Sequence, residues 1–361
     1  MPAETQLFMA EFQNQVLDFY RLGKVFQQVS RETSDKAQDN DLSGILSDAI
    51  EKAHLYNPWF IPAFIQFAFK AWSKALEKEK IIKWTNSFTA EKKIGSGAKT
   101  VGIIMAGNIP MVGFHDLLCV LASGHNALIK LSLSDEILVP AIAEVLCQIN
   151  PDYKNRITYA DGPLKKFDAI IATGSNNSSR YFDYYFGKYP HIIRKNRNGI
   201  AVLTGEESAE DLENLADDIF MYFGLGCRSV AKLYLPHNYD IAKLSEHLGR
   251  YAYLFDMHKF RNNYEYQKSI LLINNIPHYD NGFLLFKEDE SLISPISVLH
   301  YEYYHSIEEL NNQLDIQKEQ IQCIMASDDR INHSIPLGKS QLPELWDYAD
   351  GVDTMEFLTG L

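Results

Sequence analysis

Cysteine is scarce in this chain and follows no recognisable spacing. Its four cysteines, Cys119, Cys147, Cys227 and Cys323, stand far apart among 361 residues, and no C-x-x-C pair occurs. Closely spaced cysteines are typical of structural zinc sites and redox dithiols, so neither is expected, and no metal site is predicted. The same scatter argues against a disulfide-bonded secreted protein and favours a reduced, cytoplasmic one.

Positive charge is also in deficit. The sequence has 34 Lys and Arg against 47 Asp and Glu, a formal net charge of -13. Such a surface repels phosphate backbones, so nucleic acid is not expected as a partner. The opening residues "MPAETQLFMAEF" lack a basic region followed by an apolar run, so no signal peptide is predicted. The longest apolar run, residues 57–72, is interrupted by Pro62, Gln66 and Lys70 and is too short to span a bilayer.

What the sequence does contain is a regular alternation of strand and helix patterns. Residues 1 to about 90 have the apolar spacing of helices. From Thr100, "TVGIIMAG" predicts a strand and residues 108–123 the helix that follows it, and further strand–helix pairs continue. This alternation predicts βαβ crossovers and parallel sheets.

The predicted fold class is therefore α/β. We expect a helical N-terminal segment and a Rossmann-type dinucleotide-binding domain over residues 1–198. A second, smaller α/β domain is predicted over residues 199–335. The C-terminal segment, residues 336–361, is too apolar for a solvated tail and is predicted to pack back on the body or on a partner subunit.

The dinucleotide fingerprint G-x-G-x-x-G is missing, and weaker phosphate signals stand in its place. Gly174 and Ser175 of "ATGSNN" lie between a predicted strand and helix, where free N–H groups attract phosphate. An ordinary helix cap by Ser175 or Asn176 is the alternative. Lys130 ends the strand of "NALIKLS", with Ser132 beyond it, at the end where open α/β sheets bind ligands. A solvated strand end is the alternative there.

Two further residues carry groups suited to acyl chemistry. Asn108 of "MAGNIPMVG" follows a strand, and its amide can donate a hydrogen bond into a cleft or, alternatively, cap a helix with Pro110 in the first turn. Cys227 of "FGLGCRSV" is flanked by Gly226 and Arg228, and the glycine leaves room for a substrate to approach a nucleophilic thiol. A buried structural role is the usual one for cysteine, and we assign it to the other three.

In this order, "MAGNIPMVGFHDLLCVLASGHNALIKLS", "IIATGS" and "FGLGCRSV" resemble the aldehyde dehydrogenase superfamily over roughly residues 101–304. The segments "NGIAVL" and "DGVDTMEFL" are most similar to its bacterial acyl-CoA reductase branch, which includes the long-chain acyl reductases of luminescence. The resemblance implies that Cys227 is the nucleophile and Asn108 an oxyanion-hole amide. It also implies a cofactor site, whose residues are Lys130, Ser132, Gly174 and Ser175.

The activity implied by the resemblance is reduction of an acyl-CoA or acyl-carrier substrate, most simply a fatty acyl group, to the aldehyde. NADPH, or alternatively NADH, would be the reductant, Cys227 would carry the acyl group as a thioester, and a homo-oligomer is expected. Alternatives are an acylating semialdehyde dehydrogenase, an acyl-phosphate reductase for a short polar substrate, and a non-catalytic cofactor-binding scaffold. The aromatic run from Trp59 to Trp72 could line an acyl channel or a subunit interface, although a buried helix is the simpler interpretation.

The sequence departs from the superfamily pattern in two places. The general-base Glu of the E-L-G-G-K segment falls near Arg194, with Lys195 beside it, so no carboxylate is there to activate water. A cation in that place is expected to favour the phosphates of coenzyme A. The E-x-F-G-P cofactor clamp is "SLISPIS", in which only Pro295 remains. We therefore expect slow hydrolysis of the acyl-enzyme, with Glu206 or Glu207 as the alternative base.

Overall fold

Helices and strands alternate along most of the chain in this computed structural model, which describes residues 3–30, 41–89, 97–174 and 176–361. The helices are α1 (Ala3–Val29), α2 (Asp41–Tyr56), α3 (Pro62–Ala75), α4 (Lys78–Thr89), α5 (Phe114–Ala122), α6 (Leu138–Ile149), α7 (Asn176–Phe186), α8 (Ala209–Phe220), α9 (Ile241–Glu246), α10 (His258–Ile273), α11 (Ile307–Gln317) and α12 (Thr354–Thr359). The strands are β1 (Thr100–Ile104), β2 (Asn126–Lys130), β3 (Ile157–Tyr159), β4 (Ala169–Thr173), β5 (His191–Arg194), β6 (Asn198–Val202), β7 (Val230–Pro236), β8 (Tyr279–Asp280), β9 (Leu285–Glu288), β10 (Val298–Tyr304), β11 (Ile321–Met325) and β12 (Ser334–Ile335).

The chain divides into two compact units. Unit 1 combines Met1–Lys195 with Glu344–Leu361, and unit 2 is Asn196–Pro343. The segment predicted as a separate C-terminal piece, residues 336–361, is thus shared between the two units.

Unit 1 contains a five-stranded parallel sheet in the order β3-β2-β1-β4-β5. Ile103, Ile129 and Ile171 of its three central strands are fully buried, as expected for a sheet covered on both faces. The strand order reverses between β1 and β4. Crevices at the carboxyl ends of strands beside such a reversal are where doubly wound sheets bind ligands.

The N-terminal helices of unit 1 build an aromatic core. Pro62 begins α3, a position that needs no N–H donor, and Phe69 of that helix is fully buried. Its ring lies 4.9 Å from that of Phe26 in α1, which in turn lies 5.6 Å from Phe114 of α5. The aromatic run is thus largely a buried helix of this unit.

The C-terminal residues of unit 1 are tied to its N-terminal part. Met355 and Leu358 are buried. A ring nitrogen of His125, Nε2, lies 2.9 Å from the carbonyl oxygen of Leu358, and the indole of Trp84 donates to Tyr348 Oη over 2.8 Å. These residues therefore complete a core that begins more than two hundred residues earlier.

Unit 2 contains a seven-stranded sheet in the order β12-β11-β6-β7-β10-β9-β8. Neighbouring strands run parallel except β8 and β9, which are antiparallel. Ile200 and Tyr234 of the central strands pack with Leu310 and Leu314 of α11 in one buried cluster.

The described residues contain neither a membrane-spanning helix nor a cluster of metal ligands. None of their helices is both long and apolar enough to cross a membrane. No three His, Cys, Asp or Glu side chains among them are grouped as metal ligands would be.

Candidate active site

The sheet of unit 1 brings the predicted cofactor residues to one edge. Lys130 is the last residue of β2 and pairs with Ile104 at the end of β1. Its carbonyl accepts a hydrogen bond from Met105 N over 3.0 Å. Gly174 directly follows β4, and Asn108 stands four residues beyond β1. Ser175 lies outside the described residues.

Two glycines at this edge allow a close approach of backbone to its neighbours. A Cβ atom on Gly107 would stand 2.6 Å from Ser132 Oγ, so the loops after β1 and β2 touch there. A Cβ atom on Gly174 would stand 2.9 Å from the ring of Phe182 in α7. Glycine is thus needed for close packing in the loops that follow β1 and β4.

The structure shows that the helix-cap interpretation of Asn108 is wrong. The helix predicted from residue 108 begins six residues later, at Phe114, and its cap residue is Gly113, which makes no side-chain cap bond. Met111 prevents a helix from forming over residues 108–113, because its φ of 62° lies in the left-handed region. Asn108 is exposed on the intervening loop.

A buried carboxylate that the sequence analysis missed holds this loop. Asp135 accepts hydrogen bonds from Met111 N and from Leu138 N, each over 3.2 Å. Burial raises the pKa of Asp135 to about 6, against the lowering effect of those two bonds. The side chain thus joins the loop that carries Asn108 to the start of α6.

Arg194 does not have the role that the sequence suggested. Its guanidinium donates to Asp116 Oδ2 over 2.5 Å and to Thr354 Oγ1 over 3.1 Å, and the whole residue is buried within unit 1. Arg194 and Asp116 therefore form a structural ion pair. The expectation that Arg194 favours the phosphates of coenzyme A is wrong.

Cys227 stands on a tight turn between α8 and β7. After α8, Tyr222 and Phe223 take φ values of 56° and 58°, and Gly224 follows at 73°. The left-handed region is strained for aromatic residues, at about 1–3 kcal/mol each, and such strain clusters at functional sites. Ser229 N then donates to Gly226 O over 3.0 Å, which closes a turn with the half-buried Cys227 at its second position.

The other three cysteines lie in surroundings that suppress thiolate formation. Burial raises the pKa of Cys323 to about 12 and that of Cys119 well above its ordinary value. Burial also raises the pKa of Cys147. A thiol with a raised pKa is a poor nucleophile at neutral pH.

Glu206 and Glu207 lie at the wrong edge of the unit 2 sheet to serve Cys227. Cys227 precedes β7, whereas both glutamates follow the parallel strand β6, whose last residue Val202 pairs with Tyr234. At about 3.3 Å per residue, Val230 to Tyr234 alone spans roughly 13 Å. The Glu207 carboxylate also accepts bonds from Thr204 N (2.6 Å) and Gly205 N (3.0 Å). The alternative prediction, that Glu206 or Glu207 is the base for hydrolysis of the acyl-enzyme, is therefore wrong.

Pro295, the residue retained from the cofactor clamp, lies at the same edge as Cys227. It stands three residues before β10, which runs parallel to β7 and pairs with it. Its carbonyl accepts from Val298 N over 3.0 Å, and Ser297 between them has a φ of 65°. Two constrained turns thus lie at the amino ends of neighbouring strands.

Comparison with known proteins gives both a family and a fold. A family described as acyl-CoA reductase (LuxC) matches residues 73–252. No individual curated protein matches the chain in sequence at a significant level.

Among solved structures, the chain is similar to aldehyde dehydrogenase 21 of Physcomitrella patens in complex with the product succinate. The TM-score is 0.60 at 10% identity, over 95% of this chain and 84% of that one. It is also similar to the indole-3-acetaldehyde dehydrogenase AldA of P. syringae, a cysteine-to-alanine mutant in complex with NAD+ and IAA. Here the TM-score is 0.59 at 11% identity, over 93% and 80% of the two chains. A third is an NAD+ complex of aldehyde dehydrogenase from Bacillus cereus, with a TM-score of 0.57 at 10% identity over 88% and 73%.

These likenesses define the class: the chain has the aldehyde dehydrogenase fold, and the predicted α/β fold class is confirmed. Over residues 73–252 the sequence matches the acyl-CoA reductase (LuxC) family, as the sequence motifs indicated, and this match together with the fold supports an oxidoreductase.

Proposed function

We propose that this enzyme reduces a fatty acyl-CoA to the aldehyde with a reduced nicotinamide cofactor, through a thioester on Cys227. The observation that carries the proposal is the Cys227 turn: a half-buried thiol follows a strained segment and lies directly before a central strand. The other three cysteines have raised pKa values, and none lies on such a turn.

The acyl transfer needs a nucleophile and a donor for the oxyanion. The Cys227 thiolate attacks the carbonyl carbon, the Sγ–C bond forms, and the C–S bond to coenzyme A breaks to release its thiolate. The backbone N–H of Cys227 would donate to the carbonyl oxygen as charge develops on it. The amide of Asn108 is proposed as a second donor on the strength of the family resemblance, which the exposed position of the residue beyond β1 supports.

The carboxyl edge of the unit 1 sheet fits a dinucleotide. Gly107 and Gly174 lie in the loops that follow β1 and β4 at that edge, and half-buried Lys130 ends the neighbouring strand β2. Lys130, Ser132, Gly174 and Ser175 are the residues proposed to hold the cofactor, which when bound would supply the hydride that converts the thioester to the aldehyde. We propose NADPH, with NADH as the alternative. The NAD+ complexes of the P. syringae and Bacillus cereus enzymes support a nicotinamide cofactor.

Mass spectrometry after incubation with a long-chain acyl-CoA, without cofactor, tests the proposal. We expect one acyl adduct, on Cys227, and none in Cys227→Ala. Cys147→Ala is the matched control because Cys147 is also partly exposed, and it should acylate like the wild type. An adduct that persists in Cys227→Ala would overturn the proposal. A panel of acyl-CoA lengths with NADPH and NADH, followed by nicotinamide absorbance, would then assign the substrate and cofactor.

A further inference from the structure

A buried carboxylate in α8 is joined to the Cys227 turn through a short segment, residues 338–341, which we call the strap. Asp218 is 1% exposed, and its two oxygens accept from different residues of the strap. Oδ2 accepts from Gly338 N over 2.6 Å, and Oδ1 accepts from Ser340 N over 2.9 Å. One side chain therefore fixes both ends of a three-residue stretch of backbone.

The strap in turn holds both residues that follow the thiol. Arg228 Nε donates to Ser340 O over 2.7 Å. Gln341 Nε2 donates to Ser229 Oγ over 3.2 Å. Ser340 thus contacts the carboxylate with its N–H and the Cys227 turn with its carbonyl, so the two bonds are coupled through a single residue.

The strap needs an unusual backbone for this path. Gly338 has a φ of 81°, where other residues are strained, and a Cβ atom there would stand 2.9 Å from Asn214 Cβ in α8. The strap therefore lies close to α8 at Gly338, where a larger side chain would separate the two. Cys323 also contacts the turn, because its thiol lies 3.8 Å from the carbonyl oxygen of Arg228.

We propose that Asp218 is a positioning residue for Cys227 and acts through the strap. This inference rests on the proposed role of Cys227 as the acyl carrier. Acyl transfer requires the sulfur near the carbonyl carbon along a defined line of attack, and a displacement of about 1 Å from a distant change can cost about 10²-fold in rate. Asp218 does not touch the substrate in this scheme. It fixes the turn that aims the sulfur.

The first test compares Asp218→Asn with Asp217→Asn. Asparagine keeps one acceptor oxygen and turns an NH2 group toward the other N–H donor, so one end of the strap is released. Asp217 is the adjacent residue, half-buried and paired with Arg250, and it has no contact with the strap among the described hydrogen bonds. We expect the rate of Cys227 acylation by acyl-CoA to fall about 10²-fold in Asp218→Asn and to stay within about twofold of wild type in Asp217→Asn.

Amide hydrogen exchange at Ser229 gives a second measurement that does not depend on catalysis. Its N–H closes the Cys227 turn on Gly226, so a released turn should exchange faster in Asp218→Asn than in Asp217→Asn. Unchanged exchange in a folded Asp218→Asn would overturn the positioning role. If the wild-type enzyme forms no acyl adduct, the proposed function is overturned. The exchange rate of the Ser229 amide then still tests whether Asp218 positions the Cys227 turn.

Arg228→Lys covers the case in which Asp218→Asn does not fold. It keeps the positive charge beside Cys227 and leaves Asp218 on its strap, but it removes the Nε donor to Ser340. If positioning through the strap is correct, acylation falls in Arg228→Lys. Wild-type acylation by Arg228→Lys would show that Arg228 acts by charge alone and would overturn the inference.

Discussion

Arg194 at the end of β5 donates to Asp116 of α5 over 2.5 Å, with both side chains less than a tenth exposed. Burial alone lowers the pKa of Arg194, but the adjacent carboxylate raises it above its ordinary value. A second bond from the same guanidinium reaches Thr354 at the start of α12. One charged group therefore joins the sheet, a covering helix and the C-terminal residues of unit 1.

Removing one partner of this ion pair should strongly destabilise unit 1. We expect Asp116→Asn to lower the free energy of unfolding by about 3–5 kcal/mol, since it leaves a buried guanidinium without its counter-ion. Asp48→Asn, which breaks the exposed pair with Lys52, should leave the free energy of unfolding almost unchanged. Denaturant unfolding of both variants is the measurement, and equal midpoints would contradict the prediction. Arg194→Glu would bury two like charges together, so it cannot serve to restore a hydrolytic base.

Asn108→Ala should lose activity and keep its stability. Loss of one oxyanion donor costs about 10²–10³ in turnover, whereas no helix cap is lost because Gly113 caps α5. Asn150→Ala is the matched control, since Asn150 does cap a short helix and donates to Asp18. It should lose about 1 kcal/mol of stability with its turnover retained. Turnover and melting curves of the two variants together decide the role, and a fully active Asn108→Ala would remove Asn108 from the proposed site.

The acyl-enzyme should hydrolyse slowly. Water needs a carboxylate or imidazole within hydrogen-bond reach to take its proton. Asp218 is bound to the strap, and Glu207 is bound to its own turn at the edge of the sheet opposite Cys227. With oxidised nicotinamide and a long-chain aldehyde, we expect acyl-CoA when coenzyme A is present and little free acid when it is absent. Glu207→Gln should leave this ratio unchanged, and rapid acid formation without coenzyme A would contradict the reductase assignment.

The buried carboxyl of Asp218 should make stability depend on pH. Burial raises its pKa to about 6, with the bonds from Gly338 and Ser340 acting in the opposite direction. Because the folded pKa lies above the ordinary value of 3.8, the contribution to stability is complete below pH 3.8 and is lost as pH rises through 6. At 1.36 kcal/mol per pKa unit this amounts to about 3 kcal/mol. The free energy of unfolding of Asp217→Asn should therefore fall more steeply between pH 4 and 6 than that of Asp218→Asn, and parallel curves would refute the shift.

The strands of unit 1 could be predicted from the sequence because each is a short apolar run bounded by turns. The predicted start of α5 was wrong, because the sequence of residues 108–113 is compatible with a helix. Met111 has a left-handed φ that excludes such a helix, and its N–H is bound by Asp135, which lies 24 residues further along the chain. The sequence also contained no strong signal for α10, whose polar, tyrosine-containing sequence has little helical periodicity, although Phe260 and Tyr264 are buried.

The candidate site was predictable only where neighbours in sequence define it. "FGLGC" pointed to the Cys227 turn, and the ends of β2 and β4 could be aligned from strand patterns alone. Asp116, by contrast, is 78 residues from Arg194. Asp218 is 122 residues from Ser340, and only its place on the buried side of α8, three residues after Leu215, hints at an unusual role. Pairings over such distances follow from packing, which a local pattern does not encode.

The division of unit 1 between Met1–Lys195 and Glu344–Leu361 has a consequence for how the chain folds during synthesis. Domains generally form as units in the order in which they leave the ribosome. Here unit 1 lacks Thr354, Met355 and Leu358, which fill its interior, until the whole of unit 2 has been made. Unit 2 is continuous and can close first, so the part that begins earliest in translation is the part that finishes last.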